Sequence, residues 1–133
     1  MTVRIFLLPT QGDIIDFRLG HRPANLLVRD FETEAELEAY RDGIDSVRDA
    51  YDRIENLKVV GNTVAYTRRC EDPDADAVAT DTEVAFGTPA EAEAYRRGIA
   101  DAEGLAAPLV VDDSDDRFEE LLAWTAAGSD CAA

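Results

Sequence analysis

The sequence predicts an α+β domain assembled from two related halves, with an antiparallel or mixed sheet carrying helices on one face. Three observations carry this. A segment of fourteen residues occurs twice, residues 31–44 reading FETEAELEAYRDGI and residues 86–99 reading FGTPAEAEAYRRGI. Each copy places helix-starting residues directly after an extended run. A Gly61-Asn62 pair between two β-rich runs marks a hairpin.

With an offset of 55, ten of the fourteen positions are identical: Phe31/Phe86, Thr33/Thr88, Ala35/Ala90, Glu36/Glu91, Glu38/Glu93, Ala39/Ala94, Tyr40/Tyr95, Arg41/Arg96, Gly43/Gly98 and Ile44/Ile99. Two copies are too few for a solenoid, which needs at least three. They suit one pseudo-twofold domain of tandem hairpin–strand–helix units, over about residues 1–56 and 57–104, followed by a helix and frayed tail over 105–133.

The elements follow in order. Val3–Leu8 and Asp13–Leu19 read as strands around the turn-like Pro9-Thr10-Gln11-Gly12. Asn25–Phe31 reads as a strand leading to the first helix. Thr33 and Glu36 have capping-box spacing, in which the hydroxyl accepts an orphan N–H and the carboxylate reaches back to the cap. The stripe Leu37, Tyr40, Ile44, Val47, Tyr51 and Ile54 then extends that helix from about Glu34 to about Glu55. Leu57–Val60 and Thr63–Arg69 flank the hairpin turn, and Thr82–Phe86 leads to the second helix. Thr88 and Glu91 repeat the capping box, and Pro89 sits at the first helical position, where its missing N–H costs nothing. Ala92, Tyr95, Ile99 and Ala102 form the second stripe, and Gly104 stops it near Glu103. Gly43 and Gly98 lie inside the two helices, where glycine costs about 1 kcal/mol against alanine. The matched placement implies close packing against each helix. Last come the short apolar run Leu109–Val111 and an acidic stretch, Asp112–Asp116, opening a helix with Phe118, Leu121 and Leu122. The tail from Thr125 is small and polar, and reads as frayed. The two halves are expected to join edge strands into one continuous sheet.

Composition bounds the setting. The chain has 133 residues, one domain by length, with 13 basic and 29 acidic residues and a net charge of −16. That excludes direct binding to nucleic acid, which needs a basic face to displace counterions. No apolar run approaches the roughly 20 residues of a membrane span. Lys58 is the sole lysine among the basic residues. Self-repulsion of a strongly acidic chain is screened by salt, so the composition points to a salt-accumulating cell. A GC-rich genome would also exchange lysine for arginine and enrich alanine and aspartate, but the charge argument favours the salt-accumulating cell. Two cysteines, Cys70 and Cys131, form no disulfide framework, which places the chain in the cytoplasm.

No catalytic or cofactor motif is present. His21 is the one histidine, and the close ligand pairs of a zinc site are missing. Asp72, Asp74 and Asp76 have the spacing of calcium-loop ligands, with Glu83 at the twelfth position, but Pro73 and the absence of the sixth-position glycine argue for a solvated charge run. No metal or cofactor is therefore expected. The candidate ligand- or partner-binding residues are the matched Tyr40, Arg41, Tyr95 and Arg96, together with Arg97 and His21. Paired arginines could grip an anion or a partner carboxylate. Packed tyrosines and locally bridged arginines would serve structure alone.

Three functions are compatible with this. The first is a non-enzymatic interaction module that binds an unidentified protein or a second copy of itself. The second is an acidic nucleic-acid mimic occupying a basic protein's cleft. The third is a small-molecule binder or enzyme using the groove between the halves.

Overall fold

A computed structural model describes residues 2–47, 52–70, 79–103, 105 and 108–132, with the backbone alone for Asp52, Cys70 and 126–132. Four helices and two three-stranded antiparallel sheets make an α+β fold among these residues. The order is β1 (Val3–Leu8), α1 (Gln11–Arg18), β2 (Leu27–Phe31), α2 (Glu34–Ser46), β3 (Asp52–Val60), β4 (Thr63–Cys70), β5 (Ala79–Ala85), α3 (Pro89–Ala102), β6 (Leu109–Val111) and α4 (Phe118–Ala132). No described helix is long and apolar enough to cross a membrane.

The expected continuous sheet is instead two sheets. Sheet A has the order β2-β1-β6, and sheet B the order β3-β4-β5. In sheet A, Phe6 pairs with Val28 on one side and Val111 on the other. In sheet B, Val64 pairs with Val59 and Val84.

Strand alternation explains how sheet A is covered. Ile5 and Leu7 turn to one face and meet Phe31, Tyr40, Ile44, Tyr95 and Ile99. Phe6 and Leu8 turn to the other and meet Ile14 and Phe17 of α1, Val111, and Phe118 and Leu121 of α4. All four β1 residues are fully buried. Helices therefore cover both faces of sheet A, where the sequence predicts one. Sheet B turns Ile54, Val64 and Tyr66 into the same core as α2 and α3. Its other face carries Lys58, Asp81 and Glu83, all exposed.

Two further expectations are corrected. Residues 13–19 are helix α1, not a strand. Thr10 is its N-cap, its side chain accepting from the Asp13 N–H, and Leu19 is its C-cap. The stripe needed to recognise a helix is absent, because Ile14 and Phe17 are buried while Ile15 and Leu19 face water. Second, α2 ends at Ser46, with Val47 leaving helical geometry at φ −103° and ψ 83°. Ile54, counted in the helical stripe, reaches the same core from β3. Tyr51, Gly104 and the Asp72–Asp76 run fall outside the described residues. The backbone of α4 is helical from Phe118 to Ala132.

The hairpin forms as expected. Val60 pairs with Thr63 across the turn, where Gly61 takes φ +60°. A bulge separates Glu55 from Lys58 in β3, with Asn56 at φ 57°. Asparagine tolerates that left-handed conformation better than most residues.

Candidate functional site

Both capping boxes are complete. The Thr33 hydroxyl accepts from the Glu36 N–H at 3.2 Å, and the Glu36 carboxylate accepts from the Thr33 N–H at 2.8 Å. Thr88 and Glu91 repeat this, both at 3.2 Å. The phenylalanine before each box stacks on the tyrosine of its own helix. Phe31–Tyr40 and Phe86–Tyr95 each have ring centroids 5.0 Å apart and planes at 46°.

The helices cross at the two interior glycines. A Cβ on Gly43 would lie 2.2 Å from the Tyr95 carbonyl oxygen, and one on Gly98 would lie 2.2 Å from that of Tyr40. Only glycine permits this approach, so the packing role expected for these glycines holds.

Around the crossing, each tyrosine reaches to the opposite helix. The Tyr40 hydroxyl donates to Asp101 of α3 at 2.6 Å. The same carboxylate receives a fork from Arg29 of β2, at 2.9 and 3.1 Å. Burial first, then the bond to anionic Asp101, pushes the Tyr40 phenol well above its ordinary pKa. The Tyr95 hydroxyl meets Ser46 of α2 at 2.7 Å and Tyr66 of β4 at 3.1 Å. Ser46 gives its own proton to the Asp42 carbonyl. Tyr95 therefore donates to Ser46 and accepts from Tyr66, so the bonds run in one direction. Arg68 of β4 donates to the Tyr66 hydroxyl at 3.5 Å and to the Ser46 carbonyl. Burial pushes the Tyr95 phenol up to about 12.

Sequence reasoning finds the tyrosines but not Arg29, Ser46, Tyr66, Arg68 or Asp101. One signal was available: Ser46 and Asp101 are related by the offset of 55 that relates the two tyrosines. Arg29, Tyr66 and Arg68 are not marked by that repeat.

The remaining candidates do not join them. Arg41 pairs with Asp112, ahead of α4. Arg96 pairs with Glu93 one turn back on its own helix, at 2.5 Å. Arg97 is exposed. His21 is exposed in the loop after α1, its N–H donating to the Asp16 carbonyl at 2.8 Å. Among the described residues, the clefts on sheet B, beside Arg4 and Asp30, and beside Arg68 are lined by residues other than these six. No group of three or more metal-ligating side chains occurs among the described residues.

What the arrangement does chemically is bind its own parts. Tyr40 and Tyr95 are buried neutral phenols, each hydrogen-bonded to the other helix. No family model matches the chain, and neither a curated protein nor a solved structure proved similar to it.

Proposed function

We propose that the chain is a non-enzymatic interaction module working in a salt-rich cytoplasm. One observation supports this best: the hydroxyls of the matched Tyr40 and Tyr95 are taken up in hydrogen bonds that tie α2 to α3 and α3 to β4. Phenols engaged in this way hold a scaffold rigid and are not free to act on a substrate. The outer surfaces are then what remains for function. We further read the two strand–cap–helix units as a duplication, supported by the matching ring pairs and reciprocal glycines. The duplication does not extend to the strands before them, since α1 stands where the second half has a hairpin strand.

A second reading, the nucleic-acid mimic, is favoured by one feature. Glu34, Glu38, Asp42 and Asp45 are exposed along one side of α2. At about 1.5 Å rise per residue, carboxylates four apart repeat every ~6 Å. Burial, then the neighbouring Glu38 and Asp45 charges, raises the Asp42 pKa, as in a crowded row of like charges.

The test is capture on the immobilised full chain at molar KCl, with hydrolase and transferase substrate panels run in parallel. A polypeptide retained at a fixed stoichiometry, with no turnover, supports the module. Retention of a basic nucleic-acid-binding protein that is lost with Glu38→Gln/Asp42→Asn supports the mimic. Turnover abolished by Tyr40→Phe would overturn both.

A further inference from the structure

Three large hydrophobic side chains stand well out of the described surface, and two lie on α1 and its C-cap: Ile15 is 54% exposed and Leu19 is 67% exposed. Single exposed apolar residues are ordinary. These two lie four positions apart, on one side of a helix. Arg18 sits between them and Arg22 follows, both exposed. Neither arginine forms an ion pair among the described residues, although acids outnumber bases 29 to 13. Six other arginines are paired: Arg4, Arg29, Arg41, Arg69, Arg96 and Arg117. No acid occurs between Asp16 and Asp30, an interval holding Arg18, His21, Arg22 and Arg29.

The exposure is not fraying. The Gly20 N–H donates to the Phe17 carbonyl at 3.1 Å, and the His21 N–H to the Asp16 carbonyl at 2.8 Å. With Gly20 at φ +83°, these bonds make a closed helix end that fixes the backbone carrying Arg18 and Leu19. Beneath, Ile14 and Phe17 are anchored in the core, and the Arg117 guanidinium stacks 4.2 Å from the Phe17 ring centre.

We infer that Ile15, Arg18, Leu19 and Arg22 form a docking surface for an acidic polypeptide segment that presents apolar side chains between carboxylates. This rests on the interaction-module reading and names the surface and the partner's chemistry. Charge complementarity selects the occupant. Guanidinium forks pair with carboxylates at contact distance, and such pairs survive salt that screens longer-range repulsion to about 3 Å at 1 M. Apolar contact at Ile15 and Leu19 gains from exclusion of water. Nucleic acid would leave both apolar side chains unused. An anionic lipid surface would meet the chain's net charge of −16 across a broad area.

The test places a photoreactive benzophenone side chain at position 19 of the full chain, with positions 83 and 97 as separate controls. Irradiation is done in lysate of the source cell at its own ionic strength, and the cross-linked material is sequenced by mass spectrometry. The expected product at position 19 is an acid-rich peptide, its yield falling about tenfold in Arg18→Glu/Arg22→Glu. That variant should melt within about 2 °C of the parent, because surface changes are nearly neutral. Cross-links to lipid or nucleic acid, a peptide without acids, or a yield indifferent to charge reversal would overturn the proposal. Polypeptide captured from position 83 or 97 but not 19 would overturn this surface while leaving the module reading intact. No polypeptide at any position would count against both.

Discussion

Gly43 and Gly98 occupy each other's contact zone: a Cβ added to either would come within 3.1 Å of the other's Cα. Each also abuts the carbonyl of the tyrosine on the opposite helix, so helix position and tyrosine position are set together.

Gly43→Ala and Gly98→Ala should each destabilise the fold by about 3 kcal/mol, because the colliding atom is backbone and cannot rotate away. The melting temperature should fall by about 10 °C. The control is Gly12→Ala, where the new Cβ would meet only the Thr10 hydroxyl at 3.8 Å. There the change should be neutral or stabilising by up to about 1 kcal/mol. Denaturant melts of the three variants decide the matter.

Asp101 holds Tyr40 and Arg29 together, and the carboxylate is the harder partner to remove. Asp101→Ala leaves a mostly buried guanidinium uncompensated and should cost about 3 kcal/mol. Tyr40→Phe removes one hydrogen bond and should cost about 1 kcal/mol. Equal losses would contradict this order.

Alkali should unfold the chain before its two central phenols ionise. Tyr95 has a folded pKa raised to about 12, and Tyr40 is raised in the same direction. Neutral phenol is thus favoured by folding. The resulting stabilisation is fully present below about pH 10. It is lost as the pH rises through the folded value. In a titration of tyrosinate absorbance, ionisation of Tyr40 and Tyr95 should coincide with loss of the far-ultraviolet helix signal.

On the acid side the relevant group is Asp13, buried at 3% exposure. Burial alone would raise its pKa, but bonds from the Thr10 hydroxyl at 2.5 Å and the Asn25 N–H at 3.0 Å hold it below the ordinary value. Its contribution is present above about pH 4. It disappears as the pH falls through the lowered value. Asp13→Asn should flatten the loss of stability between about pH 4 and pH 2 in urea melts.

Salt provides the fifth test. A net charge of −16 strains the folded state by self-repulsion. The melting temperature should climb from low salt into molar KCl, beyond the ionic strength at which ordinary surface charge is already screened. A melting curve insensitive to KCl would remove the salt-rich cytoplasm from the proposed function.

The sequence speaks most clearly where local chemistry decides structure. Thr33/Glu36 and Thr88/Glu91 mark helix starts, and Gly61 with Asn62 marks a turn, because caps and turns are set by a few adjacent residues. Gly43 and Gly98 announce a close approach, but not that they approach each other. Helix α1 is hidden, since Ile14, Ile15, Phe17 and Leu19 place apolar groups on both sides, although Thr10-x-x-Asp13 and Gly20 were its local marks. Ile54 continues the helical stripe of α2 by coincidence of spacing, having reached the same core from a strand. Arg29 finds Asp101 across 72 positions, and Arg68 finds Ser46 across 22. Such pairs are products of the finished topology, which local patterning does not carry.

The strand order of sheet A has a consequence for how the chain is made. β1 is the central strand, yet its second neighbour, β6, begins only at Leu109. Throughout synthesis of the intervening hundred or so residues, the Phe6 and Leu8 edge has one neighbour and lacks the α4 side chains that later cover it. A ribosome-bound fragment therefore exposes an apolar strand edge of the kind that recruits chaperones or foreign strands. The segment from Leu109 onward acts as a latch: in pulsed hydrogen exchange during refolding, β1 amides should gain full protection only when β6 does, after the α2–α3 crossing has formed.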